Sequence, residues 1–313
     1  MTLEERYGLL VIFSIIVVVY VFAFGGLVRF LLEKFGFVKN KPKSLQIWFR
    51  RIIFGLALFG FGCFTYAYFI EPYWLSVRNI EIKSTNLPKG KTIRVVHISD
   101  IHSDEKPRLE EKLPAAIAEQ KPDLIVFSGD SLNSPEGLPV FRKCLTEISR
   151  IAPTYVVRGN WDAWYWKNQN LFGETGVKQL NGIAERLEIH GVPIWLAGVF
   201  VGDEEKVPET LGQIPKDEFS IFLFHYPDLI EEVSRAEIDL YCAGHTHGGQ
   251  VAMPFYGALV TFSKFGKKYE GGTYQVNKTR LNVNRGIGME GGSTPRVRFW
   301  ARPEITVIDI IPE

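Results

Sequence analysis

Ile93-Arg94-Val95-Val96-His97-Ile98-Ser99-Asp100-Ile101-His102 is a run rich in β-branched residues that ends abruptly in two potential metal ligands. The run has the length and composition of a buried strand, and the polar phrase follows it at once. The same arrangement recurs. Leu124–Phe127 leads to Gly129-Asp130, Tyr155–Val157 to Gly159-Asn160-Trp161-Asp162, Ile221–Phe224 to His225-Tyr226, and Leu240–Ala243 to Gly244-His245-Thr246-His247-Gly248-Gly249. In open α/β sheets, loops beyond the carboxyl ends of the strands gather at one crevice. Asp100, His102, Asp130, Asn160, His225, His245 and His247 are therefore expected to converge despite their separation in sequence.

Arg108–Gln120 places Leu109, Leu113, Ala116 and Ile117 at helical spacing, and Val140–Ile151 behaves likewise, which gives a β-α-β-α-β opening. Strand-like runs at Ile194–Val199, Gly257–Leu259, Gly272–Val276, Thr279–Val283 and Glu304–Ile311 form a second layer. His97 lies inside the first strand and His190 in the hairpin-like Leu187–Pro193, so both read as structural. Glycines 129, 159, 244, 248 and 249 read as turn residues that permit positive φ or close backbone approach.

Taken together, the five ligand phrases resemble the calcineurin-like metallophosphoesterase family over about residues 92–313. Asn284-Arg285-Gly286-Ile287-Gly288, followed by Pro303-Glu304-Ile305, is similar to the ending of its bacterial membrane-linked branch. The resemblance implies an α/β fold, a four-layer αββα sandwich of two mixed sheets, and a site for two divalent metal ions. It implies one ion on Asp100, His102, Asp130 and His247, and the other on Asp130, Asn160, His225 and His245, with Asp130 as the bridge. A hydroxide shared by metals about 3.5–4 Å apart would then attack phosphorus in line with the leaving oxygen. Nitrogen and oxygen ligands without thiolate suit Mn, Fe or Zn, with manganese the first expectation.

One position departs from the family. Where many relatives carry histidine after Gly-Asn, this chain has Trp161, whose indole neither titrates nor supplies a labile proton. Without that acid, a phosphate or phenolate leaves more readily than a simple alkoxide, which favours a pyrophosphate or another activated ester. Trp161, Trp164, Tyr165 and Trp166 crowd beside the proposed metals and could stack on a base, line an acyl channel, meet a membrane interface, or pack as an ordinary helix face. Trp161, Trp164, Trp166, Arg158 and Arg285 are the candidate substrate contacts, with surface or structural ion pairing the default for the two arginines. Asp162 is expected either to orient a neighbouring group or to cap a turn.

Gly8–Val28 and Ile52–Ile70 contain no charged residue and match the roughly 30 Å hydrocarbon core of a bilayer. Both read as transmembrane helices, since the first is too long for the apolar region of a signal peptide. Tyr66, Tyr68, Tyr73 and Trp74 cluster near the end of the second, as interfacial anchors would. The connection carries Arg29, Lys34, Lys39, Lys41, Lys43, Arg50 and Arg51 against Glu33 alone. Basic short loops stay inside, so the reading is an inner-membrane protein with two spans and an extracytoplasmic catalytic domain. One span plus a re-entrant segment would put that domain on the cytoplasmic face.

The chain thus divides into a membrane anchor over 1–76, a tether over 77–91 and a metallophosphoesterase domain over 92–313, large enough for a substantial core. A net charge of +1, with the basic excess in the membrane loop, gives no nucleic-acid signature. Cys63, Cys144 and Cys242 are too scattered for a disulfide framework. The expected partners are the lipid bilayer and a phosphate-ester substrate. Two substrates lead: a lipid-linked pyrophosphate such as UDP-2,3-diacylglucosamine, or an extracytoplasmic lipid or cell-wall phosphate. A non-catalytic binding module on the same fold is a third reading, opposed by the full ligand set.

Overall fold

The computed structural model describes residues 2–39, 42–291 and 295–313; Lys41 of the basic connection lies outside the described residues. It begins with two long helices, α1 (Leu3–Lys34) and α2 (Ser44–Phe69). Thr2 and Glu5 form a capping box at the start of α1. The helices run antiparallel: the Tyr20 hydroxyl donates to the Ala57 carbonyl at 3.1 Å, and Arg50 pairs with Glu33 at 2.9 Å near the connection. Both are long and apolar enough to cross a membrane, and nearly all of their apolar surface lies uncovered by the rest of the chain.

The remainder is an α/β sandwich. The first sheet contains β1 (Ser76–Ser84), β2 (Ile93–Ile98), β3 (Leu124–Phe127), β4 (Thr154–Val156), β5 (Lys178–Gln179) and β14 (Glu304–Pro312), in the order β1-β14-β2-β3-β4-β5. The second contains β6 (Ile183–Ile189), β7 (Val192–Gly198), β8 (Phe219–Leu223), β9 (Leu240–Ala243), β12 (Gly272–Val276) and β13 (Thr279–Val283), in the order β12-β13-β9-β8-β7-β6. Each sheet is mixed. Strands β2 to β5 are parallel and β14 runs against β2; β7, β8, β9 and β13 are parallel, with antiparallel edges β6 and β12. Ala252–Met253 (β10) and Gly257–Ala258 (β11) make a separate two-stranded ribbon.

Apolar residues on the strands divide between the two faces. Val95, Val126, Tyr155, Ile194, Ile221 and Leu240 meet between the sheets. Val96, Ile98, Ile125 and Phe127 turn outward against α3 (Leu113–Ala118) and α4 (Leu138–Ser149). Ala197, Phe222, Tyr241 and Leu281 cover the other outer face beneath α6 (Val207–Gly212) and α7 (Ile230–Arg235). This is the four-layer arrangement expected of the sequence.

Several elements differ from their expected bounds by a residue or two, and two differ by more. The helix expected over Arg108–Gln120 is only α3, because Pro114 has no N–H to bond to Glu110 and fits only in a first helical turn. Leu109, Leu113 and Ile117 are nonetheless buried, so the periodicity reports burial over a longer stretch than the helix. In the expected tether, where Asn79–Lys83 reads as an edge strand, the strand is longer: Ser76–Ser84 forms β1, at the edge of the first sheet, and pairs in parallel with all of β14, from Ser76 opposite Glu304 to Ser84 opposite Pro312. His190-Gly191, both at positive φ, makes the two-residue turn of the β6–β7 hairpin.

Candidate metal centre

The loops that leave β2, β3 and β9 hold five of the candidate ligands in left-handed backbone conformation: Asp100 (φ 50°), His102 (44°), Asp130 (62°), His245 (69°) and His247 (52°). Each such conformation costs on the order of 1 kcal/mol or more for a residue with a Cβ, and such residues concentrate where a site demands a particular aim. Glycine makes the approach of the loops possible. A Cβ at Gly244 would stand 1.8 Å from Ser99 Oγ and 2.3 Å from Asp100 Oδ2, so any other residue would push the two sheets' loops apart.

Two buried triads result, Asp100–His102–His247 and Asp100–Asp130–His225. Asp130 Oδ2 lies 3.6 Å from His102 Nε2 and 3.2 Å from His225 Nε2. Asp100 Oδ1 lies 4.0 Å from His102 Nε2, 3.8 Å from His225 Nε2 and 3.2 Å from His247 Nε2. Both carboxylates, rather than Asp130 alone, therefore reach toward imidazoles on each side of the centre. Asn160 begins α5 (Asn160–Trp164), and the His245 ring sits 5.2 Å from that of His225.

The donor chemistry fits divalent cations. Asp100 Oδ1, His102 Nε2, Asn160 Oδ1 and His225 Nε2 are buried without a hydrogen-bond partner among the described residues, a costly state for polar atoms unless something cationic satisfies them. His225 donates its Nδ1–H to the Ser128 carbonyl at 2.8 Å, which fixes Nε2 as the free lone pair. His245 offers Nε2 to the Phe262 carbonyl at 3.4 Å, which leaves Nδ1. Burial and neighbouring histidines hold His102 and His245 well below the ordinary imidazole range, so both are neutral donors. Burial opposes protonation of His225 too, but the Asp130 and Asp100 carboxylates outweigh it and raise its pKa. Positive charge is what this pair of buried carboxylates demands.

Residues 93–249 match the family model described as calcineurin-like phosphoesterase. The metallophosphoesterase YkuE of Bacillus subtilis is 33% identical over 260 residues, spanning 77% of this chain and 87% of its own. The chain belongs to the calcineurin-like phosphoesterase family. Phosphodiesterase YaeI of Escherichia coli is 28% identical over 231 residues, 70% of this chain and 82% of its own. UDP-2,3-diacylglucosamine pyrophosphatase LpxG of Chlamydia muridarum is 23% identical over 282 residues, 71% and 84% respectively. As a member of that family, the protein is a hydrolase of phosphate esters, and the family uses divalent metals.

In this phosphoesterase Asp162 is wholly buried and accepts the backbone N–H groups of Asp130 at 3.0 Å, Ser131 at 2.9 Å and Gly159 at 3.0 Å. It ties the Gly-Asp turn to the Gly-Asn turn. Trp161 donates its backbone N–H to Asp130 Oδ1 at 2.8 Å, and its indole N–H to Glu290 at 2.7 Å. Trp164 stays exposed, whereas Trp166 packs on the core and donates to the Leu132 carbonyl at 3.0 Å. The Arg158 guanidinium donates to the Lys167 and Gln169 carbonyls, and Arg285 lies 3.7 Å from Glu304. His97 is a buried bridge: Asn282 Nδ2 donates to its Nδ1 at 2.7 Å, and its Nε2–H reaches Ser128 Oγ at 2.9 Å.

Two adjoining clefts, of about 360 and 480 Å³, open beside the centre and share Trp161, Phe262 and Glu290. Sequence reasoning did not find Glu290, Phe262 or Arg298. Arg298, wholly buried, donates to the carbonyls of Gly286, Gly288 and Ala301 and approaches His247 Nδ1 at 3.4 Å. Arg298 lies between Val297 and Phe299 with Arg296 and Arg302 close by, a pattern that does not single it out.

Proposed function

We propose that this protein is a membrane-anchored, binuclear phosphoesterase that cleaves a pyrophosphate or similarly activated phosphate ester on a lipid-linked substrate. In this reading Asp100, His102, Asp130 and His247 hold one cation and Asp130, Asn160, His225 and His245 the other. Bound there, two divalent ions supply a nucleophile ionised near neutral pH and neutralise charge building on the phosphoryl oxygens. The chain's own part is to aim the ligands, exclude water and seat the substrate. Asp162 and the Ser128 carbonyl do the first; the aromatic walls of Trp161 and Phe262 serve the others. The indole N–H of Trp161 is engaged by Glu290 and cannot protonate a leaving group, which favours substrates whose leaving oxygen departs as a stable anion.

The observation that carries the lipid-linked reading is the join between cleft and helices. Glu5, at the start of α1, accepts the backbone N–H and the hydroxyl of Thr261 at 2.9 and 2.8 Å, and the next residue, Phe262, lines both clefts. At the end of α2, Glu71 accepts the N–H groups of Trp300 and Ala301, and Arg298 donates its N–H to the Ala67 carbonyl. The cleft is thus anchored to the same ends of both apolar helices. The basic connection at their far ends supports an extracytoplasmic domain, which we take to begin at Ser76. LpxG, named for a pyrophosphate-linked lipid, and YaeI, a phosphodiesterase, support the two ester classes, and Trp161 favours the first.

Reconstituted full-length protein with manganese should cleave a diacylated pyrophosphate ester at least tenfold faster than its deacylated counterpart. Equal rates would remove the lipid from the reading and leave a phosphoesterase of soluble esters.

A further inference from the structure

The segment Met253–Tyr269 carries Phe255, Tyr256, Phe262, Phe265 and Tyr269 together with Lys264, Lys267 and Lys268, and no acidic residue. Folding leaves Phe255 fully exposed and Tyr256 and Phe262 more than half exposed, joined by Trp300 from the chain's later loop. Exposed aromatics in such number are costly in water unless they meet an apolar or interfacial partner. Lysines of the same segment lie over aromatic faces, Lys267 over the Tyr256 ring and Lys264 and Lys268 over that of the half-buried Phe265. This pairing of apolar body and cationic tip is what the headgroup layer of an anionic bilayer accommodates.

Position agrees with composition. A Cβ on Gly8 of α1 would lie 3.8 Å from the Tyr256 hydroxyl, Glu5 bonds Thr261, and Phe299, adjacent to Trp300, packs edge-on against Tyr66 of α2. Just before β1, Trp74 is stacked under Arg302. We propose that the Met253–Tyr269 segment and Trp300 form a rim that rests in the headgroup layer of an anionic bilayer, so that the cleft opens directly onto the membrane surface. The proposal rests on the two helices being spans. It goes beyond anchoring, because it fixes the face of the catalytic domain that meets lipid.

The test uses the full chain in vesicles of phosphatidylcholine and phosphatidylglycerol, with a nitroxide on Phe255→Cys or, as control, Lys278→Cys, in a Cys63→Ala background. Cys144 and Cys242 are buried, and burial pushes both thiols well above the usual thiol range, so neither competes for the label. Lys278 lies by the far end of β1, beside Lys83 and Glu313. Collisions with oxygen relative to a water-soluble nickel chelate should be several-fold more frequent at 255 than at 278. Equal ratios in protein that resists alkaline extraction would overturn the rim while leaving the spans. Shielding of position 255 from both reagents would mark a protein partner and also overturn it. Protein stripped by alkali would remove the spans, and with them the rim.

Discussion

The two sheets are built alike and furnished differently. Each is organised around four parallel strands, yet the loops of the first supply Asp100, His102, Asp130 and Asn160, whereas those of the second supply only imidazoles, His225, His245 and His247. All the anionic charge of the centre therefore comes from one half of the sandwich. The supports differ as well. Asp162 braces the first half from within, through backbone N–H groups of its own loops. The second half leans on outside elements: the Phe262 carbonyl on His245, in a loop latched to α1, and Arg298 beside His247, in a loop latched to α2. The carboxylate half is set by the fold, and the imidazole half is set jointly by the fold and the helices.

The sharpest way to break this contrast is to neutralise one side and thin the other. Asp130→Asn should lower turnover at least about a thousandfold, the several kcal/mol that metal charge stabilisation supplies, and should reduce the bound metal below two per chain by elemental analysis. His245→Ala removes one neutral donor and should cost only about 10–100-fold, recovered in part at high manganese, as for loss of a single supporting ligand contact. Rescue of the aspartate variant by manganese, with none for the histidine variant, would invert the proposed division of labour.

Asp162→Ala probes the bracing of the first half. It strands three buried N–H groups, and at about 1–3 kcal/mol for each unsatisfied group the loss should exceed about 3 kcal/mol in a denaturant titration. Turnover should fall about 10–100-fold even where the protein remains folded. An unchanged unfolding midpoint would show that the Gly-Asp and Gly-Asn turns hold themselves.

Trp161→His changes the chemistry at the seam between halves. An imidazole there restores a titratable proton donor, so alkyl phosphodiesters should gain about a hundredfold relative to aryl or pyrophosphate esters, the ordinary size of general-acid assistance. A uniform change across ester classes would assign Trp161 to packing against His102, whose ring centre is 5.2 Å away.

What the sequence discloses follows the same division. Ile93–Ile98, Leu124–Phe127, Leu240–Ala243, Gly272–Val276 and Thr279–Val283 are strands with the bounds read from composition, because each is a compact β-rich run closed by glycine, proline or a polar phrase. The ligand phrases were legible for the same reason, each lying where a run ends. The reach of Asp100 to both sides of the centre was not legible, since it depends on the left-handed turn of its backbone. Glu290, Phe262 and Arg298 lie in irregular chain with no period to read, and their roles come from contacts made at large sequence separation. The latch of Glu5 on Thr261 was hidden most deeply, because an acidic residue in a first helical turn already has a local explanation in the capping box.

The smallest expected effect concerns His97, the buried histidine that joins the sheets outside the centre. Burial and the Arg78 guanidinium push His97 down to about 3, so in the folded chain it stays neutral where an unfolded imidazole would protonate. A folded pKa below the unfolded value means that the neutral bridge from Asn282 to Ser128 contributes fully above about pH 6.5. As pH falls from there toward 3 the unfolded chain takes up the proton first, and stability is lost at up to about 1.4 kcal/mol per pH unit. His97→Gln cannot titrate. It should be less stable than the parent at neutral pH, by about 1–3 kcal/mol for the disturbed buried bonds, with a deficit that narrows steadily below pH 6 in paired urea titrations. A deficit constant from pH 7 to pH 4 would mean that His97 takes up its proton at the same pH folded as unfolded, and that burial does not hold the ring neutral.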